Sequence, residues 1–91
     1  MPLRVDNIRT TLQTVLNPIR LDIEDDSHRH AGHAGAKGGG HYRVFVVSEK
    51  FSGRTLIARH RMVYEALADQ MKDDIHALSI VAKAPEEVTD A

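Results

Sequence analysis

Apolar residues recur early in the chain at Val5, Ile8, Leu12, Val15 and Leu16, at spacings of three and four with polar residues between them. That stripe predicts an amphipathic helix. Asn17-Pro18 then ends it, because the residue before a proline is driven away from helical backbone angles. Leu21 and Ile23 alternate with Arg20, Asp22 and Glu24, the period-two pattern of a short strand with one apolar face. Over residues 25–40 the pattern stops. Five of the six glycines fall here, at positions 32, 35, 38, 39 and 40, beside Ser27, His28, His30 and His33. A loop of roughly 15 residues without regular structure is uncommon inside a compact domain, so this one is either a site or a tether, and its histidines favour a site.

Residues 41–48, HYRVFVVS, are dense in β-branched and aromatic side chains and predict a central strand buried on both faces. Phe51-Ser52-Gly53 predicts a turn. Leu56, Ile57, Val63, Ala66, Leu67 and Met71 supply a second helical stripe running through Lys72, with an interruption or tightened turn near residues 59–61. Residues 75–83, IHALSIVAK, place Ala77, Ser79 and Val81 on one face and His76, Leu78, Ile80 and Ala82 on the other, a third strand that Pro85 stops. The order is therefore α-β-β-α-β. A hairpin-like first pair and a helical crossover into the last strand predict a single α+β domain over residues 1–85, its three-stranded sheet covered by helices on one face. Residues 86–91, with Glu86, Glu87 and Asp90, read as a short acidic tail without a motif.

Composition narrows the chemistry. The chain has 91 residues, 42% of them hydrophobic and 27% charged, which suits one ordinary globular domain and argues against a two-lobed enzyme with a cleft. There is no cysteine, so the chain offers no disulfide and no thiolate ligand, and any metal must be held by His, Asp or Glu. The N-terminal residues carry charges instead of a signal-peptide apolar run, and no stretch approaches a membrane span, so the expected location is the cytoplasm. Six histidines in so short a chain make charge and metal affinity responsive to pH near neutrality.

Three candidate sites emerge. The first is the loop cluster His28, His30 and His33, whose imidazoles suit a transition metal, though solvated loop histidines satisfy the same spacing. The second is His76, between Ile75 and Ala77 at the start of the last strand, either a metal-facing imidazole or a core histidine with a hydrogen-bond partner. The third is the basic run Arg54, Arg59, His60 and Arg61, which could contact phosphates. It could equally be a solvated helix face whose arginines pair with Asp69, Asp73 or the acids of the first strand, and a net charge of −1 argues against a nucleic-acid surface. The glycine-rich segment matches neither a phosphate-binding loop nor a dinucleotide fingerprint. Ser27 or Ser48 with a histidine and Asp25 or Asp26 would supply the parts of a hydrolase, but nothing in their spacing supports one. No catalytic residue and no small-molecule substrate is expected.

Taken together, Asp26-Ser27, His30-Ala31-Gly32-His33, His41-Tyr42, Val46-Val47-Ser48, Phe51-Ser52-Gly53, the segment RHRMVY at 59–64 and IHAL at 75–78 resemble the BolA family, in order and over nearly the whole chain. The resemblance implies an α-β-β-α-β fold similar to the class II KH domain, without the G-x-x-G loop that clamps nucleic-acid backbones. It also implies a heterodimer with a monothiol glutaredoxin that shares a [2Fe-2S] cluster, in iron-sulfur trafficking or in iron and stress regulation. In such a pair the glutaredoxin and glutathione supply thiolates, and the BolA-like chain supplies the remaining ligands. On the family's motif His76 matches the most constant ligand and His30 the ligand of the variable loop, with His33 adjacent and His28 a weaker alternative. The absence of cysteine in that loop places the chain with the histidine-bearing members. The competing implication is a DNA-binding transcriptional regulator acting through the helix-turn-helix-like region around residues 54–72, with Arg54, Arg59, His60 and Arg61 on phosphates.

Overall fold

The computed structural model describes residues 4–26, 40–73 and 75–88. Helix α1 (Arg4–Leu16) turns Ile8, Leu12 and Leu16 inward at successive four-residue steps, all three essentially inaccessible to solvent. Each such burial contributes about 1.5–3 kcal/mol. Val15, counted in the same stripe, lies partly exposed. The helix ends where expected: Asn17 adopts a left-handed φ of 45° and its amide donates to the Gln13 carbonyl at 3.1 Å, directly before Pro18.

Strands β1 (Arg20–Asp25) and β2 (Gly40–Val47) pair antiparallel, with Leu21 opposite Val46 and Ile23 opposite Val44. A single helical turn at Glu49–Phe51 follows, then helices α2 (Leu56–Ala66) and α3 (Ala68–Asp73), which carry the chain across to β3 (Ile75–Lys83). Strand β3 lies parallel to β2, so the sheet order is β1-β2-β3, and a last helical turn occupies Pro85–Glu87. The α+β architecture and strand order agree with the sequence pattern.

The helices cover one face only. Tyr42, Val44 and Val46 of β2 and Ala82 of β3 join Ile8, Leu12, Leu16, Phe51, Val63 and Leu67 in one core. On the opposite face Arg43 is exposed and His41 and Phe45 are half-buried, so β2 is central but not buried on both faces. The Arg20 guanidinium lies 5.1 Å from the Phe45 ring centre there, shielding part of an aromatic that the helices do not cover.

Two further departures concern the second helical stripe. Leu56 and Ile57 do not enter the core but stand 64% and 71% exposed in the first turn of α2. The interruption falls at Leu67, not near residues 59–61; the Leu67 and Met71 amides still bond to the Val63 and Leu67 carbonyls, so the two helices run on almost continuously. Gly53 takes a φ of +76° in the turn before α2, a backbone region that side chains other than glycine rarely adopt.

Candidate metal centre and the basic segment

At one end of the sheet the chain leaves β1 at Asp26 and re-enters β2 at Gly40. The Asp26 amide donates to the His41 carbonyl at 2.7 Å, extending the ladder by one rung, and the Arg43 Nε pairs with the nine-tenths-buried Asp26 carboxylate at 3.1 Å. On the other side of β2 the register jumps: Gly40 faces Ile75, but His41 faces Ala77. His76 is the extra residue of this irregularity. Such a bulge re-aims a side chain that regular pleating would have sent elsewhere. Strict alternation would have placed His76 with Leu78, Ile80 and Ala82 toward the helices; it is instead exposed, and it is not a core histidine. Its ring lies 5.2 Å from that of His41, centre to centre, at 34° between planes.

His28, His30 and His33 lie outside the described residues. The segment that bears them begins and ends at this same end of the sheet, at Asp26 and Gly40. Among the described residues no three His, Asp or Glu side chains gather as a metal site. What the fold itself supplies is an exposed imidazole, His76, with a second, His41, beside it; a donor set of this kind suits an iron or zinc-type centre that draws its other ligands from elsewhere. His41 is not among the candidate ligands that the sequence singles out. Its signal was the strand pattern itself, which placed it on the face of β2 opposite Tyr42, Val44 and Val46.

In the basic segment, Arg59 is turned into the fold and away from any phosphate. Arg59 is only 5% exposed. Its Nε donates to the Arg54 carbonyl at 2.9 Å and its Nη1 to the Ala82 carbonyl at 3.1 Å, while Nη1 and Nη2 reach the two Glu87 carboxylate oxygens at 2.7 and 3.1 Å. This forked pairing draws the Glu87 carboxyl down to about 2, aided by the Ala84 amide at 2.8 Å, and raises the guanidinium pKa in return. The partner of Arg59 is therefore Glu87 and not Asp69 or the acids of β1, and Glu87 belongs to the folded body instead of an acidic tail; the Asp73 side chain lies outside the described residues. Arg59 sits four and eight residues before the buried Val63 and Leu67, so helical spacing alone put it on the inward face.

The other members of the run lie nearer the surface. Arg54 is exposed and its Nε donates to the Lys50 carbonyl at 3.1 Å; Arg61 is exposed; His60 is half-buried. Tyr64, from the same helix, directs its hydroxyl toward the Leu78 carbonyl at 3.5 Å. Ser48 is fully buried and donates its hydroxyl to the Leu16 carbonyl at 2.6 Å, which ties α1 to the end of β2 and rules it out as a nucleophile. A shallow depression of about 380 Å³ on the open sheet face is lined by Asp22, Phe45, Ser79 and Val81 among others and contains no histidine. No helix among the described residues is long and apolar enough to cross a membrane.

Comparison with known proteins agrees with this architecture. The chain is 45% identical over 87 residues to SufE-like protein 1 of Arabidopsis thaliana, and the solved BolA domain of that protein superposes with a TM-score of 0.84, covering 97% of this chain and 99% of the domain. It is 47% identical over 88 residues to the chloroplastic protein BOLA1 of the same plant, covering 92% of this chain. It is 35% identical over 75 residues to the DNA-binding transcriptional regulator BolA of Escherichia coli, covering 82% of this chain and 70% of the regulator. The chain spans 24% of the length of SufE-like protein 1 and 55% of that of BOLA1. The family model for BolA-like proteins matches residues 12–87, a span that includes both Arg59 and Glu87, and the chain belongs to the BolA family.

Proposed function

We propose that this chain is the imidazole-bearing half of a heterodimer with a monothiol glutaredoxin, the two sharing a [2Fe-2S] cluster in iron-sulfur trafficking or iron and stress regulation. The observation that carries the reading is His76: the strand irregularity holds it exposed at the end of the sheet where the histidine-rich segment departs. His76 and either His30 or His33 would serve as this chain's ligands, with the glutaredoxin cysteine and glutathione providing sulfur. A cluster of this kind gains a higher reduction potential when imidazoles replace thiolates on one iron, and its imidazole ligands must be deprotonated to bind. The chain's own part is to present a neutral imidazole from a rigid strand and to leave the partner room to approach.

The test is to mix the purified chain with a monothiol glutaredoxin, iron, sulfide and glutathione, then compare visible circular dichroism for wild type and His76→Ala. A heterodimer spectrum distinct from that of the glutaredoxin alone, and lost or altered in the variant, supports the reading. No complex and an unchanged spectrum would sink it.

DNA binding is the second reading, favoured by the similarity to the Escherichia coli regulator. With Arg59 buried against Glu87, the surface left for phosphates is reduced to Arg54, His60 and Arg61. Binding through these three would show a shallow dependence on salt, because each neutralised phosphate contributes about 0.9 to the log-log slope. A steep slope would require phosphate contacts from elsewhere on the chain.

A further inference from the structure

His41 and His76 come from different strands, and the sheet fixes both backbones. His41 is held in β2 opposite Ala77, and its carbonyl is tied to the Asp26 amide at 2.7 Å; His76 is set by the irregularity in β3. Their rings stand 5.2 Å apart. An imidazole nitrogen bonded at about 2.0 Å places its ring centre about 3 Å from the metal, so two imidazoles on one tetrahedral ion have centres about 5 Å apart. The 34° between the ring planes is no obstacle, because each ring can rotate about its own metal–nitrogen axis without changing that spacing. A ligating imidazole uses one nitrogen and leaves the other for an outer hydrogen-bond partner, so engagement of one side of either ring is compatible with ligation at the other.

We propose that His41 and His76 form a two-imidazole chelate on the folded sheet for a single divalent transition ion of the imidazole-preferring class, such as nickel, copper or zinc, with water completing its coordination. Hard cations such as magnesium and calcium are refused, because the site offers nitrogen and those ions take oxygen. The ligand pair differs from the one proposed for the cluster, and the inference does not rest on that reading; it needs neither a glutaredoxin nor the loop histidines. Because His76 is common to both, an ion at this chelate and a cluster on His76 exclude each other.

The test uses the full chain with His28, His30 and His33 replaced by Asn, so that the loop contributes no imidazole. Zinc chloride is titrated by calorimetry, with magnesium chloride as the comparison, while amide shifts are followed by NMR. One equivalent of zinc binds, magnesium does not, and shifts concentrate at residues 40–42 and 75–77. Replacing His41 or His76 with Ala then weakens zinc binding at least tenfold, because losing either arm dissolves the chelate. His76 is exposed and His41 half-buried, and a thermal melt of each variant verifies folding. Unchanged zinc affinity in either single variant, or shifts elsewhere in the chain, overturns the proposal.

Discussion

The two ends of the sheet are built in opposite ways. At the end where β2 and β3 finish, polar groups are consumed internally: the Ser48 amide bonds to the Lys83 carbonyl, its hydroxyl to the Leu16 carbonyl, and Arg59 joins α2 to Ala82 and to Glu87. At the end where those strands begin, the regular ladder breaks and an imidazole is turned outward with another beside it. One end spends its polar groups on holding helices, sheet and C-terminal turn together, while the other keeps nitrogen donors accessible. With the proposed function, stability and chemistry are separated along the strands, and substitutions at the two ends should have separable consequences.

The largest loss of stability is expected at the closed end. Phe51 is fully buried, and Phe51→Ala should cost about 3–5 kcal/mol in a denaturant titration, the range for deleting a large aromatic from a core. Arg59→Ala strips Glu87 and the Ala82 carbonyl of their partner and should lower the thermal midpoint by an amount second only to Phe51→Ala, without changing the metal affinity of the histidine end. An Arg59→Ala protein as stable as wild type but unable to bind DNA would reverse this assignment and return the residue to the phosphate surface.

Glu87 gives the same contact a pH signature. Its carboxyl falls from 4.5 to about 2 on folding, so the folded state binds fewer protons than the unfolded chain between those values. The stabilisation is fully present above about 4.5 and is lost as pH falls through about 2. Glu87→Gln should therefore be less stable than wild type at neutral pH, and the difference should shrink on acidification through that window. Thermal melts of the two proteins that stay parallel down to acid would contradict the pairing.

Much of the architecture is legible in the sequence because burial and periodicity report the same thing. Ile8, Leu12 and Leu16 mark a helix face, Leu21 and Ile23 a strand face, and Asn17-Pro18 a helix end. The departures share a cause: position on an element, and not residue type alone, decides burial. Leu56 and Ile57 are apolar, but they stand in the exposed first turn of α2, nearly two turns before Val63, where Ile57 points away from the inward face and Leu56, although on it, is left uncovered. Arg59 is charged, but it lies on that face and is buried. The strand at 40–47 looked apolar throughout, although Arg43 and His41 alternate with Tyr42 and Val44 as on a sheet open on one side. Glu87 was unreadable for another reason, since its partner lies 28 residues away and only the crossover of the fold brings them together. The irregularity that exposes His76 also leaves no mark in composition, being a property of how Gly40 and Ile75 pair.

Smaller effects sharpen the contrast. Gly53→Ala meets no steric neighbour but must hold a φ of +76°, so about 1–2 kcal/mol is expected from backbone strain alone, measurable as a shifted urea midpoint with unchanged slope. His76→Ala removes an exposed side chain and should change folding stability by no more than about 0.5 kcal/mol. A loss of several kcal/mol would mean that His76 is part of the scaffold.

The central claim is that the exposed His76 imidazole ligates iron, and pulsed electron paramagnetic resonance of the reduced cluster in the reconstituted glutaredoxin complex tests it most directly. Directly bound imidazole nitrogen gives strong nitrogen couplings to the cluster spin. The account predicts such couplings in the wild-type complex and the disappearance of at least one in His76→Ala. A reduced cluster showing no strongly coupled nitrogen, or an identical spectrum in the variant, would contradict it.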